Sequence, residues 1–579
     1  MPGSADAIQG AIHALESGGA AVWVRRALVF VLLAGLALFY LLHEFRGLAT
    51  SQAMDQAQIG RALLHGNGWA TNFARPLAAG QLQRRGKDVA RKIWIDTYNA
   101  PLPPVIDAIA LLPVRSHLKM TPQEVVYVGD KMIALMSIVL FFASIAVLFL
   151  IARRLFDRQL ALLSCALVLV CDMFWQYSLS GLPQMLLLLL FNLTVYAFVR
   201  AVEENAAGGS RRIWLIAVGA GFGLLALSHA LTIWIFLPAL IFSIIYLQPR
   251  LRTAGLLLAP FFLLYAPWLL RNYFVCGNPA GAAIYSFFDQ IGLSEAGHMR
   301  QSAIDFSAIG LGALRNKLAG NLTNQTDKLF QYFGGSVVAL FFFAALLHRF
   351  RRASTAALRW FLLALWAGAV TGMTVYGISE EQGVAANQLH LLFVPIMTCF
   401  GLAYLLVQWN RFEIENRLAR VAFLSILFVL SGWPMLFNLL LAGNKASIRW
   451  PPYVPPYIAV INDWMKPNEI TATDMPWAVA WYANRRAVWL PETIRAYTEM
   501  SDYDLLGGKI NGIYLTPISG SGNNLRDILK GEYKDWAPVI LRNIDLPKFP
   551  LKWATLLGLE NECVFFSDHD RQKSSAGKK

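Results

Sequence analysis

Asp55 follows the first long apolar run of the chain, which extends from about Ala27 to Leu42 and closes on His43-Glu44. Its surroundings, Ser51-Gln52-Ala53-Met54-Asp55-Gln56-Ala57-Gln58, then Arg61 and the turn His65-Gly66-Asn67-Gly68-Trp69, are too polar to cross a bilayer. The carboxylate is therefore expected at the membrane–water interface, on a short helix that does not span. It is the only acid between Glu44 and Asp88. A base so placed can meet a substrate whose reactive head is in water and whose tail is in lipid. A positioned base typically contributes ~10²–10⁴-fold to a rate. The plainer reading is a solvated interfacial carboxylate.

Transfer of a group from a lipid phosphate to a hydroxyl also needs positive charge for the departing phosphate. Candidate phosphate ligands are Arg271, at the end of an apolar run, Arg91 and Lys92 in a basic stretch, and His390, just inside a span behind Glu380-Glu381. A fork-shaped guanidinium suits phosphate oxygens. Snorkelling accounts equally well for Arg271, attraction to lipid head groups for Arg91 and Lys92, and core packing for His390. Gln56, Tyr98 and Asn99 are candidates for the acceptor or sugar pocket, although turn formation before Pro101, Pro103 and Pro104 suffices for Tyr98 and Asn99.

The elements that hold these residues belong to a membrane. Of 579 residues 56% are hydrophobic and 15% charged, with a mean hydropathy of +0.47; a soluble domain carries nearer a quarter charged. About eleven spans are expected, at roughly 24–43, 129–152, 159–176, 183–201, 212–228, 230–247, 254–270, 334–349, 357–376, 388–408 and 419–441. This is a polytopic α-helical membrane protein. Arginines gather in alternate short loops (Arg25-Arg26, Arg153-Arg154, Arg211-Arg212, Arg351-Arg352), whereas the loops around Gln176–Gln184 and Gly377–Asn387 contain no Lys or Arg. The arginine side is expected to be cytoplasmic. The N-terminal segment 1–23 is then cytoplasmic, and the external segments are 44–128, 271–333 and everything after about residue 441. The first contains Asp55 and an apolar stretch, Val105–Leu112, expected to lie in the interface. Amphipathic pieces such as Ala303–Leu318 mark the second.

The last external segment alternates strand-like runs (Ile470–Thr473, Ala487–Leu490, Gly512–Thr516, Val539–Leu541) with helical patterns (Ile458–Trp464, Pro476–Ala483, Leu525–Lys530). That alternation predicts a small α/β domain over 442–567. Residues 568–579 are expected to be a disordered tail. Asp130-Lys131 at the start of the second span is expected to form a local ion pair. The net charge of +14 falls mostly beside span ends, which favours membrane lipids over nucleic acid as its partner. The five cysteines are scattered and lack metal-ligand spacing. No cofactor is expected, and no ligand cluster supports a divalent metal. A Walker loop is absent, which argues against an ATP-driven pump.

In this layout the chain resembles the C-superfamily (GT-C) glycosyltransferases, such as the dolichyl-phosphate-mannose protein mannosyltransferases and the lipid A aminoarabinose transferases. The resemblance is carried by Met54-Asp55-Gln56 with Ala62-Leu63-Leu64-His65-Gly66-Asn67-Gly68, by Ala100-Pro101-Leu102-Pro103-Pro104, by Ala152-Arg153-Arg154-Leu155-Phe156, by Pro267-Trp268-Leu269-Leu270-Arg271-Asn272-Tyr273 and by the external tail. It covers about residues 24–440. It implies that Asp55 is the catalytic base and that the donor is a polyprenyl-phosphate sugar transferred with inversion. The acceptor is a lipid, glycan or protein on the extracytoplasmic side of a bacterial inner membrane, and the working unit is a monomer. Protein mannosyltransferases carry Asp followed by Glu; Gln56 stands there instead, which weakens the case for a protein acceptor. The alternative is a lipid or sugar transporter or flippase, which ordinarily buries charge at mid-membrane; a receptor or scaffold whose tail does the work is a third reading.

Overall fold

The structure, a computed structural model, describes residues 19–576 apart from 46, 87–93, 290, 292–296, 305, 307–308, 415, 442–453, 503–504, 521–524, 531–532, 541–548 and 558–562. The chain divides into residues 1–46 and 47–579. In the first unit α1 (Gly19–Phe39) runs on into a π-helical turn, Tyr40–Glu44.

The second unit opens with α2 (Ser51–Leu64), started by Thr50, whose hydroxyl accepts from the Ala53 N–H at 3.2 Å. A glycine with positive φ, Gly66 at +79°, follows its end. Next come the short strands β1 (Ala70–Thr71) and β2 (Phe73–Ala74). Helix α3 (Pro76–Arg84) starts on a proline, whose fixed φ suits a first turn. Strand β3 (Trp94–Ile95) pairs antiparallel with β1. Helix α4 (Leu102–Leu111) corresponds to the expected interfacial stretch and passes into a 3₁₀ segment, Leu112–His117.

The bundle proper comprises α5 (Val128–Leu155), α6 (Arg158–Leu169), α7 (Asp172–Leu179), α8 (Gln184–Ala206), α9 (Arg212–Ser228), α10 (Ile233–Tyr246), α11 (Arg250–Cys276), α12 (Leu311–Asp327), α13 (Val337–Ala345), α14 (Ala353–Tyr376), α15 (Val394–Arg411) and α16 (Arg417–Leu441). Six helices among the described residues are long and apolar enough to cross a membrane. The pair α6 and α7, bent by 58°, makes a seventh if read as one broken span. The expected span 334–349 is the nine-residue α13; at about 13 Å it covers under half of a ~30 Å hydrocarbon core. At one end of the bundle the Arg352 guanidinium donates to the carbonyls of Arg154 and Leu155.

The C-terminal domain begins with α17 (Pro455–Trp464). Strands β4 (Ile470–Thr473), β5 (Arg486–Trp489), β6 (Ile510–Leu515), β7 (Trp553–Leu557) and β8 (Cys563–Ser567) form a sheet of order β2-β5-β4-β6-β8-β7. The first four are parallel and the last three antiparallel. Helix α18 (Ile494–Asp502) sends Tyr497 and Met500 into the core beside the strand residues Ile470, Val488 and Ile513.

Several expectations require correction. The sheet takes its edge strand, β2, from the segment between α2 and α3, so the domain is not confined to 442–567. Residues 539–540 of the expected Val539–Leu541 strand lie instead in a helical turn, Ala537–Ile540, that follows the buried Trp536, and residue 541 is not among those described. The Ala303–Leu318 piece is shifted: α12 begins at Leu311. The tail after Asp568 contains a helix, Arg571–Ala576, because the buried Arg571 pairs with Glu469 at 2.6 Å and Asp568 at 2.7 Å. Asp130 does not pair with Lys131; it accepts from Trp481 Nε1 at 2.7 Å and Tyr482 OH at 2.9 Å.

Candidate active site

Helix α2 carries Asp55 into a wholly buried position, 0% exposed. Three side chains from three different segments converge on its carboxylate. Arg75 donates to Oδ2 at 2.6 Å, Asn99 Nδ2 donates to the same oxygen at 2.7 Å, and Gln58 Nε2 donates to Oδ1 at 3.1 Å. The plainer reading, a solvated carboxylate, does not hold: the group is enclosed and bonded through both oxygens. A buried charge needs such partners, because desolvation otherwise outweighs what any single contact returns.

Arg75 follows β2 directly and precedes the proline that opens α3. Its guanidinium lies between two rings, 4.2 Å from the Phe73 centroid and 3.8 Å from that of Tyr98. Burial works to discharge it, but the charges of Asp55, Tyr98 and Asp96 and the hydrogen bond to Asp55 together outweigh burial and hold its pKa above the ordinary arginine value. Asp96, just after β3, is the second acid here. It accepts from the Asn99 N–H at 3.0 Å and from Asn99 Nδ2 at 3.3 Å, so Asn99 links the two carboxylates. Burial, and next the charge of Asp55, push Asp96 up to about 6, against the pull of Arg75. Arg271 donates to the Asp96 carbonyl at 2.7 Å and lies 4.7 Å from the Trp268 ring, which meets Trp69 edge-on at 5.1 Å.

Asp55, Asn99, Tyr98 and Arg271 thus fall in one neighbourhood. Gln56 is buried beside Asp55 in sequence, but neither atom of its amide has a hydrogen-bond partner. It precedes Gly60 by one turn, on the face that meets α4. His390 lies elsewhere: Trp366 Nε1 donates to its Nδ1 at 3.1 Å, and Tyr332 stacks on it at 5.7 Å. That is the packed histidine, not a phosphate ligand beside Asp55. Arg91 and Lys92 lie outside the described residues. Sequence reasoning passed over Arg75, Asp96 and Gln58. Arg75 had a signal, being the only Lys or Arg between Arg61 and Arg84.

A cavity of about 550 Å³ adjoins the site, lined by Gln58, Arg61, His65, Asn67, Thr71 and Arg486 among others. Gln58 forms its boundary with Asp55. Thr71, which also accepts from Gln58 at 2.7 Å, separates it from a small hollow against Arg75, Asp96 and Tyr98. Among the described residues no three His, Cys, Asp or Glu side chains stand together as a metal would need. Asp55 and Asp96 supply two carboxylates, and one of them is already occupied by a guanidinium. The chemistry available is that of a carboxylate base, a neighbouring guanidinium and a second carboxyl.

Residues 123–270 match the family model of the dolichyl-phosphate-mannose-protein mannosyltransferases, a segment that does not reach Asp55. No curated protein matches the chain. ArnT from Cupriavidus metallidurans bound to undecaprenyl phosphate has a similar structure, with a TM-score of 0.57 at 12% identity over 93% of this chain and 98% of that one. The archaeal oligosaccharyltransferase AglB from Archaeoglobus fulgidus, in complex with an inhibitory peptide and a dolichol-phosphate, gives 0.54 at 12% identity over 95% and 75%. An Archaeoglobus fulgidus oligosaccharyltransferase tethered with an acceptor peptide containing the NVT sequon gives 0.54 at 13% over 93% and 75%. At these identities the likeness is one of fold.

Proposed function

From the GT-C glycosyltransferase fold of this chain, we propose that it is an inverting glycosyltransferase that moves a hexose or pentose from a polyprenyl phosphate to a lipid, glycan or protein acceptor. The observation that carries this reading is the enclosed Asp55 carboxylate with the Arg75 guanidinium 2.6 Å away. An acceptor hydroxyl gives its proton to Asp55 as its oxygen attacks the anomeric carbon. The bond from that carbon to the phosphate oxygen breaks, and polyprenyl phosphate leaves with the electron pair. Arg75 is the cation nearest the base, and Arg271 stands behind Asp96; together they are suited to the phosphate charge. Because Arg75 caps Asp55 Oδ2, an arriving phosphate that draws the guanidinium across also frees the base.

The reading sets the reaction on the extracytoplasmic face of a bacterial inner membrane, at the bundle end opposite the Arg154–Arg352 cluster. It needs one chain, and side chains supply the chemistry. The bound polyprenyl and dolichol phosphates of the structural neighbours support the donor class; sugar and acceptor follow from experiment. The purified protein in nanodiscs is given a panel of undecaprenyl-phosphate hexoses and pentoses, radiolabelled in the sugar, with an envelope lipid and glycan extract. Label moves to the extract with release of undecaprenyl phosphate, and Asp55→Asn lowers that rate by ~10²–10⁴-fold while remaining folded. Transfer retained by the variant removes Asp55 from the mechanism.

A further inference from the structure

Each of the three segments that meet at Asp55 is tied to the C-terminal domain next to its working residue. On α2, Arg61 donates to the Trp481 carbonyl through Nη1 and to the Ala480 carbonyl through Nη2, both at 2.7 Å, with its guanidinium 4.8 Å from the Trp481 ring. Strand β2 lies in parallel register with β5, Phe73 opposite Ala487 and Ala74 opposite Val488, and the Ala487 N–H donates to the Asn72 carbonyl at 2.8 Å. Arg75 is the next residue. Trp94 of β3 is buried in the domain's own core, beside Ile470, Val488 and Leu506, and its Nε1 donates to the Leu506 carbonyl at 3.2 Å. Asp96 is two residues on. A relay also runs from the base itself: Gln58, bonded to Asp55, accepts the Asn72 N–H at 2.9 Å, and Asn72 Nδ2 donates to Asn484 Oδ1 at 3.1 Å.

We propose that the C-terminal domain is the template on which Asp55, Arg75 and Asp96 are assembled, with Arg61 and Trp94 as positioning residues that set turnover without touching substrate. The geometry explains why ties of this kind are needed. Strands β2 and β3 have two residues each, too few to hold a register alone. Pairing β2 to the block of three parallel strands β5, β4 and β6 fixes the direction in which Arg75 leaves the strand. Arg61 lies six positions after Asp55 on a rigid helix, so fixing its guanidinium on two carbonyls fixes the roll of that helix. A lapse in any tie leaves the three groups present but misaligned, and misplacement of about 1 Å can cost ~10²-fold in rate.

This inference rests on the transferase reading above, so its test has an arm that needs no turnover. Arg61→Met, Arg61→Lys and Trp94→Phe are compared with the parent in nanodiscs by backbone hydrogen exchange and by transfer from whichever donor the panel identifies. In Arg61→Met we expect faster exchange over residues 53–58 and 72–75, a fall of at least about tenfold in kcat per folded molecule, and a donor KM within about threefold of the parent. Arg61→Lys, with one cationic donor group retained, recovers part of kcat, and Trp94→Phe, which loses only one hydrogen bond, shows a smaller fall. Unchanged exchange in both Arg61→Met and Trp94→Phe overturns the template whether or not transfer has been detected. So does parental kcat in both variants, or a loss that follows the folded fraction alone. A parent without transfer, or an active Asp55→Asn, defeats the transferase reading and leaves the exchange arm to decide the template. Should Arg61→Met not fold, Trp94→Phe carries the same comparison.

Discussion

The contact between Asp55 and Arg75 works as a latch on the base as well as a support for it. Removing the guanidinium strands a carboxylate that is fully buried, so Arg75→Met should cost ~3–5 kcal/mol in thermal unfolding. Arg75→Lys should recover only part, because an ammonium cannot stack flat between Phe73 and Tyr98. Asp96 gives a pH dependence. Its pKa is raised to about 6 in the fold, so the folded state holds that proton more tightly than the unfolded chain does. Its contribution to stability is full below the ordinary carboxylate pKa of ~4 and declines as pH rises toward 6. In the same range a second negative charge grows beside Arg75 and draws the guanidinium from Asp55 Oδ2, so transfer should rise with pH through about 6. Asp96→Asn should remove that step from the kcat profile, and a step that persists assigns it to another group. Asp55 was legible in the sequence because it is the lone acid of its segment. Arg75 was not, since its meaning comes from a ring sandwich and an ion pair that only folding creates.

Helices α2 and α4 meet closely enough that one methyl group decides their spacing. A Cβ on Gly60 meets the Asp107 Cβ at 2.8 Å and the Pro104 carbonyl oxygen at 2.9 Å. Gly60→Ala should therefore push α4 from α2 at a cost of about 1–3 kcal/mol and lower transfer by displacing the helix that carries Asp55. Parental activity together with a parental unfolding midpoint counts against close packing here. The apolar helices, α4 among them, could be read from the sequence because their signal is a local apolar run. The sheet was harder. Strand β8 is buried at all five positions, so it shows no alternation. The two-residue β2 has no period at all, and only pairing with β5, remote in the chain, makes it a strand.

The C-terminal domain also meets the bundle at a place away from the base, where Asp130 is 1% exposed at the start of α5. The Trp481 and Tyr482 donors come from a single π-helical turn, Val479–Ala483, whose wide geometry puts two consecutive side chains onto one carboxylate. The same turn offers its carbonyls to Arg61. One short segment of the domain thus binds a buried carboxyl group on α5 and a cation on α2, and so holds two helices at a fixed separation. In the sequence this stretch, Pro476–Ala483, reads only as a helical pattern between two strand-like runs. Its role could not be read there because the partner, Asp130, is more than half the chain away. If the contact joins the two parts, Trp481→Phe combined with Tyr482→Phe should cost ~0.5–1.5 kcal/mol per lost hydrogen bond. The same pair of changes should cost markedly less when Asp130 is already Leu, because no carboxylate is left wanting donors. Thermal unfolding of the parent, the aromatic double variant, Asp130→Leu and the triple variant measures this coupling. Additive losses across the four proteins would mean that the aromatics act only by filling space, and that the domain is held to the bundle elsewhere.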